Sequence, residues 1–103
     1  MEGKIRVIIK RPDEQFGHVT NISASLENLQ KTVDGYIEAV PLTSEIVILC
    51  NEEGKIRGLQ KNFFMPYDMI CGTAIVIGRA GEEFCDLDLP FAVWKELLRK
   101  WGN

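Results

Sequence analysis

Histidine is nearly absent from this chain: His18 is the only one in 103 residues, and the cysteines number three, Cys50, Cys71 and Cys85. That scarcity leaves little from which to build a metal centre or a nucleophile with its base. Cys71 with His18 is the one cysteine–histidine pair worth weighing, and nothing local supports it against a structural histidine beside buried thiols. A zinc site of Cys50, Cys71, Cys85 and His18 has a permissible ligand set but lacks the close paired spacing that preorganises such a site. No metal, cofactor or catalytic residue is therefore expected. Phosphate-cradling glycine loops are missing too, since Gly72 and Gly78 stand isolated. No apolar run nears the roughly 20 residues that cross a bilayer. Met1-Glu2-Gly3-Lys4 opens directly into an alternating segment without an apolar leader core, so no membrane role is expected. Charge of one sign is also lacking. A formal net charge of -3 offers no general attraction to a nucleic acid polymer. The odd cysteines lie within or beside apolar runs, as free thiols of a reduced, cytoplasmic protein do.

What is present is an ordinary globular composition. With 46% apolar and 26% charged residues, the chain reads as a single domain over 1–103. It is long enough to bury about 65% of the surface its unfolded form exposes. Lys4 to Lys10 alternates as a strand, with Ile5, Val7 and Ile9 on one face, and Arg11-Pro12-Asp13-Glu14 turns the chain. His18 to Ile22 is a second, short strand. Ser25 caps a helix whose buried stripe is Leu26, Leu29 and Val33, and Gly35 ends it in the left-handed conformation. Tyr36 to Val40 and Glu45 to Asn51 are strands joined tightly through Pro41-Leu42-Thr43-Ser44. Ile46-Val47-Ile48-Leu49-Cys50 is apolar on both faces, which predicts a central strand covered on both sides.

Further along, Glu52-Glu53-Gly54 predicts a hairpin returning through Lys55 to Leu59. Lys61 to Asp68 reads as an irregular loop and Met69 to Gly78 as the last strong strand, Gly72 suggesting a bulge. After an excursion over Arg79 to Leu87, a helix begins near Asp88 with Pro90 in its first turn. Its apolar stripe is Phe91, Trp94, Leu97, Leu98 and Trp101, with acidic residues at its start and Arg99 and Lys100 at its end suiting the helix dipole. The order β-β-α-β-β-β-β-α gives a compact α+β domain: a mixed or mainly antiparallel sheet, one short helix and one C-terminal amphipathic helix.

Two groups of residues carry candidate chemistry. Were the hairpin to return as drawn, Lys55 and Arg57 would project from one face, with Lys61 and Asn62 brought nearby and Asn51 at its start. Asparagine amides read a base edge or ribose, and lysine and arginine neutralise phosphate. Asn51, Lys55, Arg57, Lys61 and Asn62 thus form a candidate site for a small anionic, nucleotide-type ligand. The plainer reading is a charged edge hairpin guarded against aggregation. Phe63-Phe64-Met65-Pro66-Tyr67 is the second group: Phe63, Phe64 and Tyr67, with Trp101, are candidates for contact with a partner protein or a second copy. The plainer reading makes that loop a lid on the core. Glu52, Glu53 and Glu38 read as solvated carboxylates and not as an acid/base pair.

The chain also resembles the small bacteriophage and prophage proteins grouped as domain of unknown function 3846. The resemblance is carried by Leu29 through Gly35-Tyr36-Ile37-Glu38, by Leu49-Cys50-Asn51-Glu52-Glu53-Gly54-Lys55, and by Gly58-Leu59, Asn62, Asp68, Ile70, Gly72-Thr73 and Gly78. It runs over almost the whole chain. It implies an accessory product of a mobile element, acting in the cytoplasm of a bacterial host, and it brings no reaction. After the glycine-leucine pair the family pattern favours a proline and then asparagine-arginine, where this chain has Gln60, Lys61, Asn62 and Phe63. The missing arginine removes the obvious anion-binding donor at this position.

Two functions are expected from these readings. The first is a non-enzymatic binding protein that sequesters a small nucleotide-type signal of host defence. The alternative is an interaction module that binds and modulates a host protein. Exposed aromatics and open sheet edges lead to the further expectation of a homo-oligomer formed by two-fold pairing.

Overall fold

The computed structural model describes residues 3–103, and its architecture is a three-layer α+β domain. Six strands form the central sheet. β1 (Lys4–Lys10) and β2 (His18–Ser23) make a hairpin, and α1 (Leu26–Val33) crosses to β3 (Ile37–Pro41), which pairs with β4 (Ile46–Asn51). β5 (Lys61–Met65) and β6 (Asp68–Cys71) form a separate two-stranded hairpin. β7 (Ala74–Ala80) then enters the sheet between β1 and β4, β8 (Glu83–Cys85) pairs with the end of β7, and α2 (Phe91–Lys100) follows. The strand order is β2-β1-β7-β4-β3 with β8 on β7, and every pairing is antiparallel.

Alternation divides the central strands between two cores. Val7, Ile9, Val47, Leu49, Ile75 and Ile77 face α1, meeting Leu29 and Val33. Ile8, Ile48, Cys50, Ala74 and Val76 face the other way, under Phe63 and Ile70 of the β5–β6 hairpin and Trp94 and Leu98 of α2. That double coverage is why β4 is apolar on both faces, as its sequence predicts. Trp94 is completely buried, and its indole N–H donates to the Phe16 carbonyl at 2.9 Å.

Several boundaries depart from the expectation. Ser25 does cap α1, accepting from the Asn28 N–H, but Leu26 lies on the solvent side and is exposed. The left-handed terminator is Asp34, at φ 61°, one residue before Gly35. Lys55 to Leu59 is not a strand. Residues 52–58 form successive turns, closed by bonds such as Arg57 N–H to Glu53 carbonyl at 2.8 Å and Gly58 N–H to Lys55 carbonyl at 3.2 Å. Lys61 to Asp68, expected as a loop, is β5, the Pro66-Tyr67 turn and the start of β6. Met69 to Gly78 is two strands, broken where Gly72 takes φ 80° and its N–H turns to the Gln60 carbonyl. α2 starts at Phe91, with Pro90 outside it and no acidic residue in its first turn.

Candidate functional site

Asn51 and Asn62 are the first residues that the fold redefines. The Asn51 amide donates to the Val33 and Asp34 carbonyls at 3.0 and 2.9 Å and accepts from the Glu53 N–H at 2.8 Å. It thereby satisfies the end of α1 and fixes the first turn after β4. Gly35 must be small because a Cβ there would sit 2.6 Å from the Asn51 amide nitrogen. Asn62, at a bulge in β5, accepts from the Lys10 ammonium at 2.6 Å and donates to the Lys10 and Gly72 carbonyls, each at 2.8 Å. Both amides have their donors and acceptors engaged by the protein. Neither is left to read a ligand.

Lys10 is almost fully buried, and among the described residues no carboxylate lies against its ammonium. Its Nζ donates to the Glu14 carbonyl at 2.6 Å and to the Arg11 carbonyl at 3.4 Å, beside Asn62. Desolvation lowers its pKa, against the pull of the Glu14 and Asp13 charges. The group ties the turn after β1 to the β5–β6 hairpin. His18 pairs with Glu14 at 2.8 Å, not with a cysteine. Burial pushes the Glu14 carboxyl up, yet the Arg11 N–H and His18 together leave it below its ordinary value.

Cys50 offers no nucleophile. Burial, followed by the Glu38 charge, pushes its thiol up to about 12, and its Sγ turns to Glu38 at 3.8 and 3.9 Å. Among the described residues no three of His, Cys, Asp and Glu converge on a metal position.

Of the five residues expected to bind an anion, the fold brings two together. Arg57 is drawn to the end of α1, donating to the Asp34 carbonyl at 2.7 Å and its carboxylate at 3.2 Å. Lys55 and Lys61 instead edge a groove of about 520 Å³ lined by Gly58, Leu59, Met69 and Cys71. Lys55 reaches Asp68 at 2.5 Å. That bond raises the lysine pKa and holds the carboxyl below the usual range. The Lys61 side chain is exposed and makes no hydrogen bond or ion pair with any described residue.

The aromatic group divides likewise. Phe63, expected at a partner contact, is core: it is 1% exposed, edge-on to Trp94 at 5.5 Å and stacked near Trp101 at 6.5 Å. Trp101 is half-buried against that cluster. Strand alternation turns Phe64 outward, opposite Met69 across the hairpin, while Phe63 and Ile70 face the core. Phe64 is 53% exposed, Tyr67 at the turn 99% and Ile56 on the adjoining turns 85%. Ile56, Leu59 and Met69 are the surface residues that the sequence reading missed. The available signal was the symmetry of two short β-type runs about Pro66-Tyr67.

The outward face has a fixed base. Phe64 N–H donates to the Asn103 side chain at 2.9 Å, and the Asn103 amide donates back to the Phe64 carbonyl at 3.0 Å and to Leu98 at 3.1 Å. Together with Asn62 below and the Lys55–Asp68 bridge beside it, this holds the hairpin from three directions.

The residues that carry the family resemblance include Gly35, Asn51, Gly54, Asn62, Gly72 and Gly78, and their geometry is that of fold determinants. A Cβ on Gly78 would lie 2.3 Å from the Asp86 carbonyl oxygen, and one on Gly54 2.9 Å from that of Cys71. The chain belongs to the family described as Domain of unknown function (DUF3846), whose model matches residues 5–98. No curated protein and no solved structure matches it.

Proposed function

We propose that this protein is a non-enzymatic interaction module, an accessory product of a phage or other mobile element that binds and modulates a host protein. The observation that carries the reading is the exposure of Tyr67, Ile56 and Phe64 around a hairpin whose base is fixed by Phe63, Asn62 and Asn103. Large apolar side chains carried on an anchored backbone gain the benefit of burial when a partner covers them, and the backbone need not be reordered to receive that partner. The mobile-element origin rests on the resemblance alone.

The test is retention of host polypeptides by the immobilised protein and by its Phe64→Ser/Tyr67→Ser variant, followed by binary binding of the purified candidate. One polypeptide bound stoichiometrically by the native protein, with affinity reduced at least tenfold in the variant, is the expected result. Equal binding by both proteins, or none by either, rejects the module. Capture of a nucleotide-type signal remains as a second reading on one observation, the meeting of Lys55 and Lys61 at the groove. Native mass spectrometry that finds a bound nucleotide in place of a polypeptide would favour it.

A further inference from the structure

We infer that the groove beside the exposed hairpin face takes an acidic amphipathic segment of the partner, with an apolar anchor seated on Leu59 and Met69 and a carboxylate held by Lys61. The inference rests on the protein-binding reading and specifies what that partner presents. Three features of the groove lead to it.

The first is charge. In a chain of net -3, the two groups of the lining that carry charge at neutral pH are both lysines. Asp68 neutralises Lys55 from the side. The Lys61 side chain has no partner among the described residues. A complementary occupant brings a negative charge to that position.

The second is the kind of cation. Lysine ammonium is a point charge that one carboxylate satisfies, whereas a phosphate group is better held by an arginine fork or by converging amides. Those groups exist nearby but are turned elsewhere: Arg57 to Asp34, Asn51 to the end of α1, Asn62 to Lys10 and Gly72.

The third is extent. Leu59 and the adaptable thioether of Met69 give the groove an apolar floor. Met69 continues it across the hairpin to Phe64. The apolar surface therefore runs past the groove toward the exposed hairpin face, as a peptide segment requires and a compact metabolite does not. The cavity that adjoins at Lys55 and Met69 is lined by Glu38, Glu52 and Asp68, so an acidic segment runs toward Phe64 and away from those carboxylates.

The test is selection from a random peptide library on the native full chain, on Lys61→Glu and on Phe64→Ser/Tyr67→Ser, each first confirmed as folded by its melting curve. Peptides enriched on the native protein are expected to pair Asp or Glu with a Leu, Phe or Trp anchor. Lys61→Glu is expected to weaken them at least tenfold and to shift selection toward Lys- or Arg-bearing peptides. Enrichment without acidic preference, or unchanged on Lys61→Glu, overturns the inference; if it is still lost on Phe64→Ser/Tyr67→Ser, the module reading survives. No enrichment above an unrelated control protein overturns both. A melting shift with ADP or pyrophosphate that Lys61→Glu abolishes reassigns the groove to a small anion. A dimeric mass that Phe64→Ser converts to monomer assigns the face to a second copy. Either of those results also overturns the inference.

Discussion

Asn62 illustrates how a residue's type and its role come apart. Its amide chemistry is legible in sequence, but its three hydrogen bonds go to Lys10, 52 positions earlier, and Gly72, ten positions later. Replacing it by alanine strands two carbonyls and takes an acceptor from a buried ammonium. Losses of this kind cost about 2–4 kcal/mol in sum. Urea unfolding of Asn62→Ala is expected to show that loss, with the slope of the transition unchanged. A fall below about 0.5 kcal/mol would mean that water replaces the amide at no cost. The same lesson holds at Asn51. Both asparagines were visible as polar residues beside lysines, which suggests a ligand. What the sequence could not display is that backbone carbonyls from distant elements already occupy them.

Among the elements, α1 was legible because its signals are local: Ser25 reaches three residues ahead, and Leu29 and Val33 share a face. Its last residue was misplaced by one, since Gly35 is the better left-handed former but Asp34 holds that conformation. Asp34→Gly removes the cost of a side chain in the left-handed region, about 1–2 kcal/mol, against about 0.5–1 kcal/mol for the extra backbone freedom of glycine in the unfolded chain. Of its contacts it gives up an exposed ion pair with Arg57, while the carbonyl that Arg57 and Asn51 use remains. A rise in Tm of a few degrees is expected, and thermal unfolding checks it. The β5–β6 hairpin was missed for a different reason. Lys61-Asn62-Phe63-Phe64-Met65 contains a bulge, so its polar–apolar alternation slips by one residue and the period-2 pattern fails. Residues 52–58 were misread in the opposite sense. Lys55-Ile56-Arg57 alternates well, yet its backbone closes on itself through the Glu53 and Lys55 carbonyls.

At the scale of the whole molecule, the hairpin and the turns before it are joined at Lys55–Asp68, and this pair gives a pH signature to folding. Asp68 has its pKa lowered chiefly by the Lys55 hydrogen bond. The stability it contributes is therefore complete above the ordinary Asp range near pH 4 and is lost as the pH falls through the lowered value. The pKa of Lys55 is raised by the same bond, so its share is complete below about pH 10 and is lost on going higher. Asp68→Asn keeps an oxygen for the Met69 N–H but removes the charge. It is expected to melt below the native protein at neutral pH and to match it in strong acid, as thermal melts over a pH series will show. A constant gap across the series would assign the difference to packing. The open edges of the sheet belong to this scale too. β3 carries the exposed charge of Glu38 and ends in Pro41, which has no N–H to offer another strand.

The sequence by itself determined the α+β class, the cap of α1, the apolar stripe of α2 and the two-sided burial of β4. Each follows from interactions within a few residues or from a simple period. The tertiary structure decided which polar residues remained available. Asn51, Arg57 and Asn62 are claimed by backbone groups brought to them from other elements, whereas Lys55 and Lys61 converge because the turns of 52–58 fold back beside β5. It likewise divided the two adjacent phenylalanines. In a strand one of each pair must face inward, and the register of β5 on β6 sends Phe63 to Trp94 and Phe64 to solvent.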